Sequence, residues 1–266
     1  MNWFSSFFSS SPSTQTTISH YLFAETSDIG SRDYNEDRMT HYFDDSILLF
    51  LVADGLGGHE SGDIAAQLIC DTLLHAFQQH KTALKTHLDS TFRNLVEEAI
   101  YNTSHTLADK QIDSHTTLAC TVINLKQQVF ITAHVGDSRI YHLSDHKILW
   151  RSRDHSIVQM LLDDSEIKED EMGQHPEQGL LTRSISSKDS IRVSFSAVKK
   201  LRSQQALLLC SDGIWENLPS ETIAVLASQN PGQSELQKSL NQWVDTAKKS
   251  AGKDCDNLTA QVVYFS

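Results

Sequence analysis

The chain has 266 residues, with 34 acidic against 22 basic side chains and a formal net charge of −12. Its longest basic runs are pairs, Lys199-Lys200 and Lys248-Lys249, too little to hold a nucleic-acid backbone or an anionic membrane surface. At 39% hydrophobic and 21% charged residues it has the composition of an ordinary globular protein with a sizeable core. The longest apolar stretch, Ile47 to Ala53, falls far short of the roughly 18 residues a membrane span needs.

Met1 to Thr17 is rich in Ser and Thr, with the aromatic pairs Trp3-Phe4 and Phe7-Phe8. It lacks the basic start and continuous apolar core of a secretory signal and reads as a flexible tail (1–17) before a single domain over 18–266. Short β-branched and aromatic runs predict strands over 17–25 and 39–54, the latter ending in a segment buried on both faces. Helical spacing follows over 61–80 and 86–112. Thr116–Leu125, Gln128–Val135, Ser138–Leu143 and Lys147–Trp150 predict four strands with hairpin-length connections, an antiparallel meander.

Asp154 to Arg183 is mostly polar, with a short helix over 156–163, and reads as an inserted flap at about 156–186. Strands are then expected over 190–198 and 205–211, helices over 219–228 and 233–250, and a closing strand over 257–265. The expected class is α+β: a four-layer αββα sandwich of two antiparallel β-sheets flanked by helical hairpins. Cys70, Cys120, Cys210 and Cys255 are widely spaced with no C-x-x-C pair, which points to reduced, buried cysteine and a cytoplasmic location.

Five segments set Asp beside Gly or Asn at strand ends: Asp28 to Asp37, Asp54-Gly-Leu-Gly-Gly-His59, Gly136-Asp-Ser-Arg139, Ser211-Asp-Gly213 and Asp256-Asn257. Burying several unpaired carboxylates together is costly unless cations lie between them. Oxygen donors without Cys or His pairs select Mg2+ or Mn2+ over Zn2+.

In order and content these segments resemble the motifs of the metal-dependent protein phosphatase family of the 2C type, from about Ile18 to Phe265. The matching runs are Gly30-Ser-Arg32 with Asn35-Glu-Asp37, Val52 to His59, His134 to Arg139, Leu208 to Gly213 and Asp256-Asn-Leu-Thr259. Asp154-His-Ser156 and Leu181-Thr-Arg183 resemble the flanks of the flap in bacterial members.

The resemblance implies that Asp37, Asp54, the Gly55 carbonyl, Asp212 and Asp256 hold two Mn2+ or Mg2+ ions, with Glu36 ligating through water. Asp137 matches a position associated with a third ion shared with Asp212, and Arg32 matches the phosphate-binding arginine. The implied activity is hydrolysis of phosphoserine and phosphothreonine by a water activated between the metals. Implied substrates are phosphorylated proteins, a Ser/Thr kinase and its own substrates among them, for an enzyme acting as a monomer. An inactive phosphoprotein-binding adaptor of the same fold and a metal-dependent hydrolase of another phosphate ester are the alternatives.

Some family members carry His directly after the second Asp-Gly, where this chain has Leu56. That leaves the general acid open between a metal-held water and His59. His115 stands before Thr116-Thr117, where a Gly is common. Gly57 to Gly62 mimics a phosphate-cradling loop, but Asp63 follows where that loop needs Lys. The helix after it is expected to be capped by Ser61. Arg139 and Arg183 are expected in structural ion pairs, His155 in a structural hydrogen bond, and the acidic run from Asp163 to Glu171 on a solvated flap face.

Overall fold

The computed structural model describes residues 20–57, 62–188, 191–226 and 232–266; the 1–17 tail, His59 and Ser61 lie outside them. The chain begins with β1 (Tyr21–Asp28), β2 (Arg38–Phe43), β3 (Ile47–Ala53) and the short β4 (Gly55–Leu56). Two long helices follow, α1 (Gly62–Thr86) and α2 (Leu88–Asp109). After them come β5 (His115–Thr116), β6 (Leu118–Asn124), β7 (Val129–Val135), β8 (Arg139–Ser144) and β9 (Lys147–Arg151). The flap holds α3 (Ile157–Asp163) and a 3-10 turn over Glu169–Gln174. The chain then runs through β10 (Ser194–Phe195), β11 (Lys199–Lys200), β12 (Gln205–Cys210), α4 (Asp212–Trp215), α5 (Ser220–Val225), α6 (Gln233–Ala251) and β13 (Leu258–Phe265).

One sheet has the order β1-β13-β12-β8-β9 and the other β10-β7-β6-β3-β2, with β11 also on β7. β3 shows why the layers stack. All seven of its residues are buried, and the period-2 alternation of a strand divides them between two cores. Leu48, Phe50 and Val52 meet Leu207, Leu209, Val263 and Phe265 of the facing sheet. Ile47, Leu49, Leu51 and Ala53 meet Ile69, Leu73 and Phe77 of α1 and Phe92, Leu95 and Val96 of α2. On the far side Leu236, Leu240, Trp243 and Val244 of α6 cover Leu208, Val262 and Tyr264, with Val158 and Met172 of the flap in the same cluster. The four layers are those expected, but only α1 and α2 form a true hairpin of long helices. The opposite layer is one long helix with short ones beside it.

The meander is not a single one. β6 and β7 pair in one sheet and β8 and β9 in the other, so the chain crosses between sheets at Gly136 to Ser138. Gly136 takes φ +89°, and a Cβ there would strike the Thr117 side chain, so this turn is open to glycine alone. The strand expected over 190–198 is likewise interrupted. Ser196 Oγ accepts from the Thr132 amide, doing the work of a backbone carbonyl, and only the short pieces β10 and β11 join β7.

Candidate active site

The ends of both sheets deliver their carboxylates to one rim. Arg38 pairs with Ala53 in the β2–β3 hairpin, so Asp37 and Asp54 stand side by side just beyond it. Asp212 follows β12, Asp256 precedes β13, and Asp137 rides on the crossing between sheets. The Thr116-Thr117 pair fixes Asp54: Thr117 Oγ1 accepts from its amide and Thr116 Oγ1 donates to its carbonyl, each at 2.9 Å. Gly55 pairs with Thr116 and lies so close to the Glu36 and Gly62 carbonyls that a side chain would collide with both.

Asp37, Asp54 and Asp137 are 4%, 9% and 3% exposed, with Asp212, Asp256 and Glu216 partly buried around them. Ser211 Oγ donates to Asp37 Oδ2 at 2.7 Å, while Asp37 Oδ1 is buried with no hydrogen-bond partner. Burial, with the charges of Asp212 and Asp256, pushes the Asp37 pKa up to about 7. Burial, with Asp256, pushes Asp212 to about 6. Asp54 and Asp137 lie well above the usual range for the same two reasons, burial first and then the neighbouring carboxylates. Asp54 and Glu216 stand beside the Asp212 carboxyl, and burial favours the protonated form at several members of the group.

In this arrangement no three His, Cys, Asp or Glu side chains among the described residues close around an ion; Ser211 engages Asp37 and Arg32 engages Asp256. The chemistry of the carboxyls nonetheless fits hard divalent cations. The set is all oxygen, mutually repelling and largely dry, and one buried oxygen is left over.

Glu216 is the residue that sequence reasoning missed. Burial first, then the Asp212, Asp137 and Asp256 charges, push it up to about 10. Its signal was present, since Asp212-Gly-Ile-Trp-Glu216 has the i, i+4 spacing that puts both carboxyls on one side of a helical turn. Glu36 Oε1 accepts from the Gly62 amide at 3.2 Å, and burial raises its pKa.

Arg32 sits on a loop tied to the end of the chain. Its Nη2 lies 2.7 Å from Asp256 Oδ2, with the guanidinium side chain 57% exposed. Gly30, at φ +64°, lies against the Asp256 carbonyl too closely for any Cβ. Asn257 binds the loop by donating to the Ile29 and Tyr34 carbonyls and accepting from the Glu36 amide.

Arg139 makes the expected ion pair, a bidentate one with buried Asp154. It also stacks 3.4 Å over the ring of Trp215, whose Nε1 donates to the Asp137 carbonyl. Arg183 does not follow expectation. It bonds to the Arg192 carbonyl and meets the His155 ring, with no carboxylate partner among the described residues. His155 is structural as expected, accepting at Nδ1 from the Gly136 amide. The acidic flap run from Asp163 to Glu171 is exposed apart from the half-buried Ile167 and Glu169, the latter pairing with Arg151 at 2.7 Å.

Residues 25–246 match the Protein phosphatase 2C family. The "Serine/threonine phosphatase stp" of Listeria monocytogenes is 30% identical over 240 residues, covering 87% of this chain and 90% of its own. Protein phosphatase PhpP of Streptococcus pneumoniae is 27% identical over 242 residues, covering 90% and 95%. Among solved structures, the S. agalactiae serine/threonine phosphatase superposes with a TM-score of 0.78 at 25% identity, covering 93% of this chain and all of its own. The catalytic domain of PstP, crystallised with two manganese ions, gives 0.74 at 25% identity, covering 92% of this chain and 98% of its own. The chain belongs to the protein phosphatase 2C family and is, by that membership, a metal-dependent serine/threonine phosphatase.

Proposed function

We propose that this chain hydrolyses phosphoserine and phosphothreonine in proteins at a dinuclear Mn2+ or Mg2+ centre. The observation that carries the reading is the unpartnered buried oxygen of Asp37 inside a group of buried, mutually repelling carboxyls. Asp37, Asp54, the Gly55 carbonyl, Asp212 and Asp256 would hold the two ions, with Glu36 reaching them through water. Asp137, Asp212 and Glu216 form a third position. The ions, when bound, supply Lewis acidity and bring the pKa of a water toward neutrality.

The chain's own residues bind and orient the substrate. The Arg32 fork keeps donors free beyond its bond to Asp256, and its planar geometry suits two phosphoryl oxygens at once. The loop that carries it is held by Asn257 and by the Asp28 carboxylate, which accepts from the Gly30 amide and from Lys248. Leu56 has no proton to give, so the departing serine or threonine alkoxide takes one from water. The substrates would be phosphorylated proteins, including a Ser/Thr kinase and that kinase's targets, met by one catalytic domain whose flap at about 156–186 selects among them. A cytoplasmic monomer accords with four free, buried cysteines, and no described helix is long and apolar enough to cross a membrane.

Phosphate release from a phosphothreonine peptide is expected to require added Mn2+ and to disappear in Asp212→Asn; turnover without metal overturns the proposal. Parallel assays on a phosphotyrosine peptide and on a nucleotide separate the substrate classes.

A further inference from the structure

Where the flap leaves the sheet there is a recess of about 350 Å³, bordered by His134, Arg153, His155, Thr182, Arg183 and Ser194. Its polar groups are mismatched. The Gly136 amide can only donate, so the His155 Nδ1 it meets at 3.1 Å accepts, and in a neutral imidazole the proton is then on Nε2. That N–H lies 2.8 Å from Ser194 Oγ, which accepts it and keeps its own hydroxyl hydrogen to give. The same Nε2 lies 3.2 Å from Arg183 Nη1, so two N–H groups face each other with no acceptor between them. A change of protonation does not relieve this, since burial and then the neighbouring His134, Arg183 and Arg153 hold the His155 pKa near about 3.

Among the described residues, the carboxylates at the recess are already taken. Asp154 is clamped by Arg139, and Asp163 is held by Arg153 and Gln159. Arg183 is left as a half-buried guanidinium with, among the described residues, only the Arg192 carbonyl, at 3.4 Å, to receive a proton. Arg183, the Ser194 hydroxyl and the exposed Thr182 hydroxyl present three donors to one space. A tetrahedral oxyanion has the oxygens to meet them.

We propose that this recess is a second anion site, separate from Arg32 and the carboxylate rim, that receives another phosphoryl group of the same phosphoprotein substrate. The inference rests on the phosphatase reading and adds a substrate preference to it. The two sites stand back to back across one residue. The His155 amide donates to the Gly136 carbonyl, and Asp137 is next in the chain. The favoured substrate therefore carries a second phosphate a few residues from the one removed; a spacing of three, about 10 Å of extended peptide, is the one tested.

Two measurements test this. Calorimetric titration of the metal-free full-length chain with inorganic phosphate is expected to show binding that is lost in Arg183→Gln; this arm needs no turnover, so it fails separately from the phosphatase reading. With Mn2+, a peptide bearing a second phosphoserine three residues from the phosphothreonine is expected to show a KM about tenfold below that of the singly phosphorylated peptide, at equal kcat. Both Arg183→Gln and Thr182→Glu, the latter setting a carboxylate at the exposed mouth, remove the difference while turnover of p-nitrophenyl phosphate stays unchanged. Phosphate binding unaffected by Arg183→Gln, or equal KM values for the two peptides in the unsubstituted chain, overturns the proposal.

Discussion

On one side of the Gly136 turn, Asp137 is pressed toward Asp54, Asp212 and Glu216; on the other, His155 and Arg183 set N–H against N–H. Both arrangements bring like groups together at a cost, and both are stable only because the surrounding sheets fix them. They differ in what relieves them. Burial drives the carboxyls toward their protonated forms, and they would exchange these protons for cations. The donors have nothing to exchange and need an acceptor from outside. A single crossing between sheets thus separates two surfaces of opposite demand.

The largest expected effect comes from breaking the acidic side. Asp212→Asn should lower Mn2+-dependent turnover about 10³-fold or more while leaving phosphate binding at the recess intact; a parallel loss of both would mean that the two sides are not independent. Gly136→Ala attacks the wall between them. With φ at +89° and Thr117 in the way, it should cost roughly 2–3 kcal/mol in denaturant unfolding.

Glu216→Gln sharpens the acidic side. It should raise the Mn2+ concentration for half-maximal activity about tenfold and reduce the melting-temperature gain on adding Mn2+, with the metal-free fold unchanged. The smallest effect is that of pH on the metal-free chain. Asp37 and Asp212 have folded pKa values raised to about 7 and about 6 from 3.8, so between pH 4 and 7 the folded state holds more protons than the unfolded one. Their stabilising contribution is complete below pH 4 and is lost as the pH rises through 6 to 7. Melting temperature should therefore fall from pH 5 to pH 8 without metal, and Mn2+ should restore more of it at pH 8; a flat profile would break the account of raised carboxyl pKa values.

Much of the acidic side was legible in the sequence because its signals are local. An apolar strand followed by Asp-Gly names both the strand and the carboxylate at its end, as at Ala53-Asp54 and Ser211-Asp212. Glu216 was missed because its one signal, the i, i+4 spacing from Asp212, marks no site by itself, and a helix of four residues offers no longer pattern to reinforce it. The division of the meander was hidden for a different reason: β7 and β8 are buried on both faces, and such strands look alike whichever sheet they join. The recess was also out of reach. Arg183 and Arg139 look equivalent in the sequence, and only the fold gives Asp154 to one and a histidine ring to the other.

β13 lies between β1 and β12, so a strand from far along the chain sits inside its sheet and not at an edge. It brings Asp256, and Arg32 is joined to that residue across 224 positions of chain. A partly synthesised polypeptide therefore has neither a closed sheet nor a seated arginine, however well its first helices have formed. Removing β13 should accordingly silence the enzyme far more completely than its eight residues would suggest.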